Sequence, residues 1–132
     1  MIIHKRNVTA IEPMIELPVT ASEAIVVGEA LKLTAGKLTK GTATARPEYI
    51  SVSKVEAGTD KVGTVIQVLA DMEFEAEISA AGGADSLVVG DKVTIGADGV
   101  TLTATKTSGV AEIVAIPTPL QSIGGEVIVR FN

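Results

Sequence analysis

Apolar and acidic side chains alternate most sharply over residues 72–78, Met-Glu-Phe-Glu-Ala-Glu-Ile. Met72, Phe74, Ala76 and Ile78 recur with period two, and Glu73, Glu75 and Glu77 fill the gaps. On a helix these apolar positions advance by about 200° each and scatter around the axis; on a strand they share one face. The pattern predicts a strand with one buried face and one acidic face, its carboxylates spaced about 6.6–6.8 Å apart. Ile50-Ser51-Val52-Ser53 alternates in the same way and is closed by the turn residues Ala57-Gly58-Thr59-Asp60. Residues 62–69 form another apolar run of strand length. Upstream, Ala24-Ile25-Val26-Val27 leads into Gly28-Glu29, and residues 30–33 alternate towards Ala35-Gly36-Lys37. Pro47 interrupts or starts a strand.

These runs recur. Val26-Val27-Gly28-Glu29-Ala30-Leu31 aligns with Val88-Val89-Gly90-Asp91-Lys92-Val93, and Ala35-Gly36-Lys37-Leu38-Thr39 with Asp98-Gly99-Val100-Thr101-Leu102 after a small insertion. Tyr49-Ile50-Ser51-Val52 then falls near Ala111-Glu112-Ile113-Val114, and residues 72–78 are matched to residues 126–131. Each unit reads as strand, Gly-acid turn, strand, glycine hairpin and strand. Glycine supplies the positive φ of such turns, and the acid bonds a neighbouring amide. Two copies are too few for a solenoid. The expectation is an all-β chain: a small pseudo-duplicated β-barrel or β-sandwich-like domain over residues 21–132, with halves near 24–79 and 86–131.

Residues 1–20 differ from the rest, with Pro13 and Pro18, no glycine, and apolar residues at Ile2, Ile3, Val8, Ile11, Met14, Ile15 and Val19. Proline disfavours helix and central strand, so an extended N-terminal arm is expected. It is either a docking arm laid across a neighbouring protein or a first edge strand folded onto its own domain.

Composition narrows the chemistry. The chain has 132 residues, 46% hydrophobic and 20% charged, which fits one ordered domain with an arm. Eleven Lys and Arg against 16 Asp and Glu give a net charge of −5, which argues against nucleic-acid binding. Tyr49, Phe74 and Phe131 are the only aromatics, too few for base or sugar stacking. With no cysteine and only His4, thiolate metal sites, His-rich zinc sites and a Ser/His/Asp triad have little to build on. The glutamates 73, 75 and 77 suggest acid–base pairing, but alternation alone explains them as a solvated face. Residues 36–42 carry glycine and lysine without P-loop spacing, and Asp85, Asp91 and Asp98 lack the EF-hand order, so they read as turn acids. No cofactor, metal or catalytic residue is expected. No signal peptide or membrane span is recognisable, and manufacture in the cytoplasm is expected. The mean hydropathy of +0.41 points to apolar surface covered by partners.

The arm, then Val26-Val27-Gly28-Glu29, then Ala43-Thr44-Ala45-Arg46-Pro47, then Val88-Val89-Gly90-Asp91 and a β ending resemble the head decoration, or capsid cement, proteins of tailed bacteriophages. The resemblance implies a non-enzymatic protein on the virion exterior. Its partners would be the major capsid protein and further copies of itself, with a trimer favoured and neither nucleic acid nor membrane involved. It also implies an arm that bridges capsomers, with Ile2, Ile3, Lys5, Arg6, Val8, Ile11, Met14 and Ile15 as the capsid-binding residues. Deleting residues 1–18 is then expected to abolish binding and leave the body folded. A tail or baseplate β module and a small soluble ligand-binding or carrier β domain are the alternatives.

Overall fold

The computed structural model describes residues 1–6, 14–79, 86–117 and 125–132, with the backbone alone at residues 2–6. The described residues contain strands and turns and no α-helix, as the alternating and repeated strand–turn pattern predicts. The strands are β1 (Ile2–Arg6), β2 (Ile15–Pro18), β3 (Ala30–Thr34), β4 (Lys37–Lys40), β5 (Tyr49–Ser51), β6 (Val62–Gln67), β7 (Met72–Glu77), β8 (Lys92–Val93), β9 (Ala111–Ala115) and β10 (Glu126–Phe131). They form two five-stranded sheets with antiparallel ladders, in the orders β2-β6-β5-β3-β4 and β1-β7-β10-β9-β8. Neither sheet is a closed barrel.

The alternation at residues 72–78 has the expected outcome. Met72, Phe74, Ala76 and Ile78 are buried in the larger core, which also takes Ile113, Val127, Val129 and Phe131 and reaches Ile50 and Ile66 of the other sheet. The Phe74 and Phe131 rings sit 5.5 Å apart and tilted by 54°, a geometry favoured by aromatic quadrupoles. A smaller core under the first sheet gathers Val19, Ile25, Leu31, Leu38, Val55 and Val65.

The repeat is present as hydrogen bonds. Gly28 N–H donates to Ser51 O at 2.8 Å, and Gly90 N–H to Ile113 O at 2.8 Å. Ser51 N–H returns to Glu29 O, and Ile113 N–H to Asp91 O. Leu31 pairs with Tyr49 where Val93 pairs with Ala111. Thus β3, β5 and β6 of the first sheet correspond to β8, β9 and β10 of the second.

The ladders correct the last step of the sequence alignment. β7 is not the counterpart of β10; it is its neighbour in one sheet, with Ala76 opposite Val127 and Phe74 opposite Val129. The strand in β7's place in the first sheet is β2, paired with β6 through Ile15 and Val65. Beyond them, Val19 and Ile78 each form a parallel bridge, to Leu38 and Leu102, and Thr20 and Ser79 each donate to that leucine's carbonyl. Ile15-Glu16-Leu17-Pro18-Val19-Thr20 therefore matches Phe74-Glu75-Ala76-Glu77-Ile78-Ser79. The units run over residues 15–67 and 74–131, so the first unit takes in residues 15–20 of the arm segment. Pro18 hides this relation in the sequence. The Val19 N–H to Lys61 O bond fixes the ladder parity and turns the Pro18 nitrogen away from β6, where a missing donor costs no ladder bond.

Candidate functional site

The residues expected to grip a partner lie on two sheet edges. Ile2, Ile3, Lys5 and Arg6 are on β1, whose backbone pairs antiparallel with β7: Ile2 opposite Glu75, Ile3 opposite Phe74, Lys5 opposite Glu73 and Arg6 opposite Met72. Ile15 is on β2, at the edge of the other sheet, half-buried against the smaller core, and Met14 just before it is 69% exposed. Val8 and Ile11 lie outside the described residues. The same ladder parity points the Glu16 N–H and C=O away from β6, along the outer edge of β2. Met1 is buried in the larger core, and its amino group donates to Gly28 O at 2.7 Å.

This arrangement changes what a deletion of residues 1–18 does. It removes β1, the buried Met1 and all of β2, so it damages the body as well as the arm.

The sequence places Val26-Val27 and Val88-Val89 at the ends of apolar strands; the structure puts them in the turns themselves. Glu29 N–H bonds Val26 O, and Asp91 N–H bonds Val88 O, across Gly28 (φ +84°) and Gly90 (φ +98°). The four valines are 45–61% exposed. Each Val-Val pair is carried outward by the glycine that follows it. That residue order is the signal that marks them as surface, and apolar periodicity alone misses it. With Met14 and Val62, these valines are the exposed large hydrophobics among the described residues.

The glutamates of β7 do not form the uniform solvated face that alternation suggests. Glu73 is buried and accepts a 3.0 Å bond from Arg130 of β10. Glu77 stands directly across from Glu126. Glu75, Glu77 and Glu126 line an open cavity of about 310 Å³ together with Met1, Val27 and Thr101. Among the described residues no group of three or more His, Cys, Asp or Glu is placed to hold a metal ion.

Asp91 and Asp98 act as turn acids. Asp91 accepts from Val88 N–H, and Asp98 from the amides of Val100 and Thr101. Asp85 lies outside the described residues. Glu29 has the role of Asp91 in the first unit, bonded by the Val26 backbone, and each acid is paired with a lysine: Glu29 with Lys40 at 3.5 Å and Asp91 with Lys106 at 2.9 Å. The glycine- and lysine-containing stretch 36–42 is mainly β4 and its hairpin.

No protein-family model matches the chain, and no curated protein sequence matches it.

Proposed function

We propose that this chain is a non-enzymatic structural protein that binds the outer surface of a tailed-phage capsid and stabilises it by bridging capsomers. The observation that carries the reading is that β1 and β2 are edge strands of two different sheets, one tied to Met1 in the core and one flanked by exposed Met14. A backbone edge accepts an extended segment of a neighbouring protein through main-chain hydrogen bonds, with side chains needed only for grip. Two such edges on one rigid body suit a protein that joins two neighbours. A shell presents the same site many times, so weak contacts at each position add up along it. The proposed contacts are those of Ile2, Ile3, Lys5 and Arg6 on β1 and of Met14 and Ile15 at β2, with Val8 and Ile11 between them.

The test is co-sedimentation of the full chain with phage heads purified from a lysate of the source host. Saturable binding is expected, weakened at least about tenfold by Met14→Asp and by Glu16→Pro. The proline removes an N–H that points away from β6, so both variants retain the wild-type fold by circular dichroism. Absence of binding to heads at every stage of maturation contradicts the reading.

A further inference from the structure

β1 belongs to neither unit. It adds a strand to the outer edge of β7, antiparallel, with Ile2 opposite Glu75 and Ile3 opposite Phe74. Continued by one residue, that register sets Met1 across from Ala76, and both are buried in the larger core. The open edge ends there, because Leu102 N–H donates to Glu77 O and Ser79 N–H to Leu102 O.

β2 is the counterpart of β7, and in it the same edge is bare. Ile15, Glu16 and Leu17 stand where Phe74, Glu75 and Ala76 stand in the second unit. Glu16 turns its N–H and C=O away from β6, and among the described residues no strand pairs with that side. The edge is bounded as it is in β7, here by the bond from Thr20 N–H to Leu38 O. The difference shows in burial. Phe74 and Ala76, beside β1, are 0% and 5% exposed, whereas Ile15 and Leu17 are only half-buried over the smaller core. Glu16 is exposed and makes no ion pair among the described residues.

We infer that the outer edge of β2 takes an extended segment of a partner protein as β7 takes β1: antiparallel, with apolar residues across from Leu17 and Ile15 and a lysine or arginine between them, across from Glu16. This rests on β2 being an accepting edge, as proposed above, and adds the direction, register and chemistry of what it accepts. Cross-strand neighbours share a face, so the two apolar residues complete the cover of the smaller core and the cation meets the unpaired carboxylate. The main chain of the segment bonds the Glu16 N–H and C=O. From its N-terminal side the segment is apolar, basic, apolar, and it turns away from the sheet beyond Leu17, where β4 closes the edge.

The test follows the backbone amides of the full, isotope-labelled chain by NMR during titration with the acetylated peptide Gly-Val-Lys-Val-Thr-Gly. Saturable shifts are expected at Ile15, Glu16 and Leu17. Glu16→Lys changes an exposed side chain and keeps the fold. It is expected to weaken this peptide about fivefold and to prefer Gly-Val-Glu-Val-Thr-Gly instead. Serine in place of both valines is expected to remove the shifts. No saturable shift, shifts centred away from β2, or an unchanged charge preference in Glu16→Lys overturns the inference. So does a Glu16 amide already protected from exchange in a species heavier than 13.5 kDa, which would put a second copy on this edge. Peptide binding with bare phage heads contradicts the capsid reading alone. Head binding weakened by Glu16→Pro, with no peptide bound and no effect of Glu16→Lys, contradicts this inference alone.

Discussion

Glu29 and Asp91 hold the same position in the two units, and their carboxyl groups are displaced in opposite directions. Burial under the 96–99 hairpin pushes Glu29 above the ordinary glutamate value of 4.5, and Lys40 only partly offsets it. The bond from Val88 N–H, helped by Lys106, holds Asp91 below 3.8. The native state resists ionising Glu29, so its contribution to stability is full below pH 4.5 and falls as the pH rises through the native pKa. Asp91 contributes above pH 3.8 and loses its contribution as the pH falls through its lowered value. Urea unfolding of Glu29→Gln should therefore improve relative to wild type as the pH rises from 4.5, staying within about 1 kcal/mol at neutrality because Lys40 is half-exposed. Asp91→Asn should instead lose ground to wild type over rising pH in the window just below 3.8. Parallel pH profiles for the two variants would contradict this account.

Gly28 and Gly90 also hold one position in two settings. A Cβ at Gly28 would overlap the Met1 nitrogen, whereas Gly90 has open space around it. Gly90→Ala is expected to cost only the positive-φ strain, about 1–2 kcal/mol. Gly28→Ala adds displacement of Met1 from the core and should cost at least about 1–3 kcal/mol more by chemical denaturation. Equal losses would mean that Met1 does not pack against Gly28.

Phe74 and Phe131 tie β7 and β10 into the larger core with no exposed surface. Truncating either to Ala should destabilise the chain by about 3–5 kcal/mol. A double-mutant cycle should show coupling of about 0.5–1.5 kcal/mol for the tilted pair, and additive losses would remove the ring contact from the account.

Glu77 and Glu126 face each other across the β7–β10 ladder, both exposed. Like charges in that position repel, so Glu126→Lys should raise the unfolding midpoint, by an amount equivalent to about 0.2–1 kcal/mol. The gain should shrink between 0.01 and 1 M salt, roughly as the Debye length falls. A salt-independent change would point to a different cause.

Much of the fold can be read from local pattern. The alternation at Met72 to Ile78 sets a buried face because strand side chains have a period of two, and the repeated Val-Val-Gly-acid sequence sets the two turns because glycine alone accepts their φ cheaply. The equivalence of β2 and β7 was hidden by Pro18 opposite Glu77 in the alignment. A proline argues against a strand until the ladder parity shows that its nitrogen faces outward. The burial of Glu73 depends on Arg130, 57 positions away, and the seating of Gly99 on Glu29 joins two units. Contacts of such range leave no mark in a local pattern. The Val-Val pairs illustrate the same limit: hydrophobicity suggested interior positions, and turn geometry placed them at the surface.

The most direct measurement of the proposed role is electron cryomicroscopy of expanded phage heads incubated with the full chain. The account predicts ordered density on the outside of the shell at the junctions between capsomers, with the β1 and β2 edges against the coat. Bare shells, or density confined to tails and baseplates, would contradict it.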